Sequence, residues 1–167
     1  MNEQDQDHSA VGMRVALFVT CLADLFRPSV AFASIKLLQQ AGCAVTVPLQ
    51  QTCCGQPAYS SGDYKATVPL AQRVIAMLET ADYVVVPSGS CAGMICRHYP
   101  TLLEGEWRER ALELAAKTFE LTVFLQDIAR LEPRGDHLAR LPAVTYHDGC
   151  AGLRELGIKE QPRQLLR

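Results

Sequence analysis

Three short apolar runs, each separated from the next by residues of helical period, constrain this chain more than any other feature. Residues 14–20 (RVALFVT), 44–48 (AVTVP) and 83–87 (YVVVP) are rich in β-branched and aromatic side chains and have strand length. Between the first two, Val30, Phe32, Ile35, Leu37 and Leu38 recur with helical spacing from Pro28–Ser29 to Gly42. Between the second and third, Val68, Ala71, Val74, Ile75 and Leu78 do the same. Apolar strands alternating with amphipathic helices predict an α/β fold, a Rossmann-like three-layer arrangement with a parallel sheet covered by helices on both faces. Farther on, residues 104–130 read as helix with a break near Thr118, 131–141 as a loop, and 143–147 (AVTYH) as a fourth strand. The polar residues 1–12 read as a disordered tail, with Met13 an alternative start.

The chain has 167 residues, 49% of them hydrophobic, which is ample for a core and excludes intrinsic disorder. A formal charge of −2 leaves no electrostatic footprint for nucleic acid. No apolar run reaches the ~20 residues that cross a bilayer, so no transmembrane segment is expected. The short apolar stretch 15–23 follows acidic residues where an export signal carries positive charge, and a cytoplasmic location is expected.

Against that layout stand seven cysteines. In a reducing compartment such a set points to metal or redox chemistry rather than structural disulfides. Cys21 follows the first predicted strand, Cys53 and Cys54 lie in the loop after the second, and Cys91 follows the third. Cys150 follows the predicted fourth strand. In a parallel sheet these points share the carboxyl edge, where open α/β folds bind their ligands. Cys43 enters its strand at the opposite edge and reads as structural, and Cys96 reads as a core residue.

Adjacent Cys53 and Cys54 suit a polynuclear iron–sulfur cluster better than a single tetrahedral zinc, whose ligands are usually two to four residues apart. A redox-active vicinal disulfide and a zinc site remain alternatives at this point. Gly55, Gly89 and Gly93 would let backbone approach a cluster, and Ser88 and Ser90 would donate near Cys91. His147 is either a ligand, a proton carrier or a structural histidine. His8, His98 and His137 show no organised partner.

The order Cys21, then Cys53-Cys54-Gly55, then Cys91 resembles the CCG cysteine-rich domain, found in the B subunit of heterodisulfide reductases and in iron–sulfur subunits of glycolate and lactate oxidation systems. Residues 17–24, 52–59, 87–91, 146–150 and 153–157 carry the resemblance, which is nearest to the lactate branch. It implies an iron–sulfur subunit, inactive alone, that works with two other lactate-utilisation proteins to oxidise L-lactate to pyruvate. Electrons would pass to a quinone or another respiratory carrier. The ligand roles fall on Cys21, Cys53, Cys54 and Cys91. Met94 stands where the heterodisulfide reductase pattern has a further cysteine, so one four-thiolate [4Fe–4S] cluster is the expectation.

The resemblance further implies a first CCG domain over 13–141 and, over 142–167, the opening of a second repeat with Cys150 as its first ligand. No second Cys-Cys pair precedes Arg167, so a shortened chain building one cluster is expected. Two other functional classes fit the residues: a cluster- or metal-binding redox sensor or structural module, and a thiol–disulfide oxidoreductase using Cys53 and Cys54.

Overall fold

The computed structural model describes residues 12–131 and 143–166. Strand β1 (Arg14–Leu17) leads into α1 (Cys21–Phe26) and α2 (Ser29–Gln40), followed by β2 (Ala44–Thr46). After α3 (Gln56–Ser60) and α4 (Tyr64–Leu78) the chain forms β3 (Tyr83–Val86). A continuous helical run follows: α5 (Gly89–Gly93), a wide π turn at Met94–His98, and α6 (Tyr99–Leu102). Then come α7 (Gly105–Ala116), β4 (Thr118–Glu120), α8 (Leu121–Val123) and a π turn at Phe124–Ile128. Another π turn, Ala151–Glu155, precedes α9 (Glu160–Leu165).

The sheet has strand order β2-β1-β3-β4, and every pairing is parallel. Side chains of a strand alternate between faces, and the burial pattern shows both faces covered. Ala16, Phe18, Val84 and Val86 pack with Val74, Ile75, Leu78, Tyr99 and Leu114 from the helices on one side. Val15, Leu17, Val19 and Val85 pack on the other side with Leu38, Phe124 and Leu125. The expected α/β arrangement with helices on both faces is present.

Two expectations for individual elements need correction. Residues 143–147 form no strand, although their sequence alternates like one. The fourth strand is β4, inside the stretch read as a broken helix, where Val84, Val85 and Val86 pair with Thr118, Phe119 and Glu120. A three-residue parallel strand has no local hydrogen bonds; its ladder comes entirely from a neighbour distant in sequence. The break near Thr118 is real, and Thr118 stabilises it by donating its hydroxyl to Leu114 O at 2.8 Å. Helix α1 was also not anticipated. It buries none of its residues, so it lacks the amphipathic period that would reveal it. The expectations for 1–11 and for most of the 131–141 loop lie outside the described residues.

Candidate metal centre

The strand order fixes where a ligand belongs. From β1 the chain goes outward to β2, then returns to place β3 on the other side of β1. The carboxyl ends of β1 and β3 therefore flank the topological switch point of the sheet, where crevices form in open α/β folds. Cys21 begins the helix after β1, and Cys91 lies in the first helical turn after β3. Cys53 and Cys54 arrive on the segment returning from β2. Gln51 ties that segment to β1, accepting from Val19 N at 2.7 Å and donating to Leu17 O at 3.0 Å.

Two of the four thiols are in direct contact. Cys54 Sγ lies 3.2 Å from Cys91 Sγ, in the buried part of the site. Cys21 lies close by, its thiol raised first by burial and then by neighbouring Cys53 and Cys91. Cys21 is exposed and Cys53 half-buried, so these two residues lie toward the outside of the site. Adjacent side chains in an extended segment diverge, so Cys54 enters the core while Cys53 stays half-buried. Gly55, with φ of 84°, turns the chain immediately afterwards, and its amide donates to Cys53 Sγ at 3.4 Å.

Electrostatics separate the buried pair. Cys91 is held down to about 7 by the hydrogen bond from Cys54, against burial, with help from the Ser88 and Ser90 hydroxyls. Cys54 is pushed well above the usual thiol range by that same hydrogen bond and by burial. Burial, followed by neighbouring Cys53, raises Cys21. One proton shared between close sulfurs is the physical cause: the first thiolate is stabilised and the second opposed.

Tyr99 also belongs to this site. It is fully buried and donates its hydroxyl to Cys54 O at 2.7 Å, anchoring the loop that carries the Cys-Cys pair. A signal was available, because Tyr99 follows Cys91 and Ile95 at four-residue spacing. Met94, at the position of the absent further cysteine, is also fully buried.

The remaining cysteines are elsewhere. Cys43 is buried on the opposite sheet face with Leu38 and Val15, at the amino end of β2. Cys96 donates to Thr118 O at 3.4 Å, at the amino end of β4, and burial pushes its thiol up to about 11. Cys150 is exposed and, with Ser88, Glu120 and His147, lines a cavity of about 370 Å³ beside Cys91. It reaches this edge without a preceding strand. The Ala151–Glu155 turn is docked directly on α5, so close that a β-carbon on Gly89 would stand 2.9 Å from Gly152 backbone. A β-carbon on Gly93 would meet Glu155 Oε2 at 2.7 Å. These glycines thus serve helix docking, a use not foreseen for them.

His98 is also corrected. Its Nε2 lies 3.1 Å from Glu155 Oε2, and its ring packs on Tyr59 with centroids 4.7 Å apart. His147 is exposed at the cavity rim, whereas His8 and His137 lie outside the described residues.

The donor set is entirely thiol, which suits an iron–sulfur cluster. Among the described residues, no three His, Cys, Asp or Glu side chains close around a single metal ion. Also among them, no helix is long and apolar enough to cross a membrane.

The chain is similar to known proteins. The family model for the CCG cysteine-rich domain matches residues 15–96. The chain is 49% identical over 157 residues to lactate utilization protein A of Geobacillus thermodenitrificans, covering 92% of this chain and 64% of that protein. The corresponding protein of an Exiguobacterium species is 50% identical, with 91% and 62% covered. Lactate utilization protein A 1 of Bacillus mycoides is 42% identical, with 93% and 63% covered. The chain thus spans somewhat less than two thirds of the length of these relatives. No solved structure matches. With all four converging cysteines inside the matched segment, the chain belongs, through residues 15–96, to the CCG cysteine-rich domain family.

Proposed function

We propose that Cys21, Cys53, Cys54 and Cys91 hold one [4Fe–4S] cluster and that the chain is the iron–sulfur subunit of an L-lactate-oxidising system. The observation that carries the reading is that four cysteines on three separate loops gather at the switch point of the sheet, with Cys54 and Cys91 in direct contact. When bound, the cluster supplies one-electron transfer. The chain's own residues provide its setting. The core dries Cys54 and Cys91, Tyr99 holds the Cys54 backbone in register, the Gly55 amide donates to Cys53 sulfur, and the Ser88 and Ser90 hydroxyls favour the Cys91 thiolate. Cys21 and Cys53 form the outward edge through which electrons leave or enter.

The lactate assignment rests on the names of the similar proteins. In this reading two further lactate-utilisation proteins complete the system, lactate becomes pyruvate, and a quinone or respiratory carrier in or facing the cytoplasm receives the electrons. Residues 13–141 form the first CCG unit, and Cys150 opens a second motif within 142–167.

The test is oxygen-free reconstitution followed by iron and acid-labile sulfide analysis. About four of each per chain are expected. Cys54→Ser should lose the cluster while Cys43→Ser keeps it; equal retention in both variants would overturn the ligand assignment. Lactate-dependent bleaching of the loaded chain with its partner proteins tests the substrate, and a spectrum unmoved by lactate would reject it.

A further inference from the structure

The separation of the Cys54 and Cys91 sulfurs, 3.2 Å, is a property of rigid surroundings rather than of a flexible loop. Both residues belong to one core cluster, with exposures of 2% and 8%. The Tyr99 hydroxyl fixes the backbone of Cys54, and the first turn of α5, seated on β3, fixes Cys91. All the cysteines are free thiols. Cys53, the neighbour that a vicinal disulfide would require, is only half-buried and accepts from the Gly55 amide.

We propose that in the iron-free chain Cys54 and Cys91 are a disulfide-forming pair, closed by a hydroperoxide. One thiol attacks the peroxide O–O bond, becomes a sulfenic acid and releases a first water when the oxidant is hydrogen peroxide. The second thiol displaces the sulfenic hydroxyl, forming the S–S bond and releasing a second water. Two electrons pass from the sulfurs to the peroxide, and both thiol hydrogens leave in water. A peroxide suits this site because it is small enough to reach sulfurs so nearly enclosed. A bulky disulfide oxidant would have to build a mixed disulfide inside the core.

The bond joins residues 37 positions apart and ties the Cys-Cys loop to the β3–α5 turn. It also withdraws two thiols from the proposed ligand set, a consequence that rests on the cluster reading, whereas the bond itself does not. Reopening requires a dithiol reductant.

The experiment treats the reduced, iron-free full chain with hydrogen peroxide under native conditions and counts free thiols. A loss of two thiols, restored by dithiothreitol, is expected, with peptide mapping joining the Cys54 and Cys91 segments. Because Cys53 shares a peptide with Cys54, the mapping is repeated in Cys53→Ser, which must keep the link, and in Cys54→Ser and Cys91→Ser, which must lose it. Circular dichroism confirms that each variant is folded. A dominant Cys53–Cys54 or Cys21–Cys53 link, or oxidation to sulfinic acid without any link, would overturn the proposal. Iron uptake is then compared in the oxidised and the dithiol-reduced chains. A mapped Cys54–Cys91 link in a chain that takes up no iron even when reduced would reject the cluster reading and leave the disulfide standing.

Discussion

Gly89 and Gly152 meet back to back: a β-carbon on Gly89 would lie 2.9 Å from both the nitrogen and the Cα of Gly152. The contact joins the turn that carries Cys91 to the turn that follows Cys150, and the obstruction is backbone that cannot rotate aside. Gly89→Ala should therefore undock residues 150–158 and cost about 1–3 kcal/mol, as overpacking does. Hydrogen exchange should show the loss there, with β1 and β3 still protected. Unchanged exchange in 150–158 would mean that the two turns move apart freely.

Tyr99→Phe removes one oxygen from the core and leaves Cys54 O without its donor. A buried acceptor stripped of its partner costs about 1–3 kcal/mol. Urea unfolding of the iron-free chain should show a lower midpoint at an unchanged slope. If the loop anchored by Tyr99 serves cluster binding, the variant should also release iron to a chelator faster than the parent.

Asp148 and Arg163 form a bidentate pair, with contacts of 2.9 and 2.6 Å, that closes residues 148–163 on themselves. The Arg163 guanidinium, through its hydrogen bonds and then its charge, holds Asp148 below the usual carboxylate range. A carboxyl depressed in the folded state stabilises above its unfolded value, and that stabilisation fades as pH falls through the lower folded value. Exchange protection of 148–163 should accordingly be constant near neutrality and decline only in the acid range. Asp148→Asn should abolish that pH dependence; an identical acid profile in the variant would assign it to another group.

Cys96→Ala should act differently from any substitution at the four converging thiols. Its thiol donates to Thr118 O at the far end of β4, and burial holds it protonated near neutral pH. The expected cost is about 1–2 kcal/mol of stability. Iron content after reconstitution should equal that of the parent, and a loss of iron would place Cys96 in the centre.

How much was legible follows from where each element gets its hydrogen bonds and its burial. Helices α2 and α4 satisfy their own backbones and write their buried faces as a local period, so both were readable, even with Pro69 inside α4. Strands β1 and β3 sit between two covered faces, and continuous apolar runs announce that position. Strand β4 announces nothing, because Thr118-Phe119-Glu120 is a strand only through its pairing with β3. The run 143–147 alternates convincingly but pairs with no strand among the described residues.

The sequence by itself determined the alternation of strands and helices and hence the parallel sheet. It also determined that Cys21, Cys53, Cys54 and Cys91 follow strands rather than precede them, because chain direction in a parallel sheet fixes which edge a residue occupies. Only the tertiary structure decided how those thiols pair. Sequence adjacency joins Cys53 to Cys54, yet Cys54 is buried against Cys91 while Cys53 stays half-exposed with the Gly55 amide on its sulfur. It likewise brought Cys150 to the same edge by docking one glycine-rich turn on another. Such packing depends on contacts between segments far apart in the chain, and no local pattern encodes it.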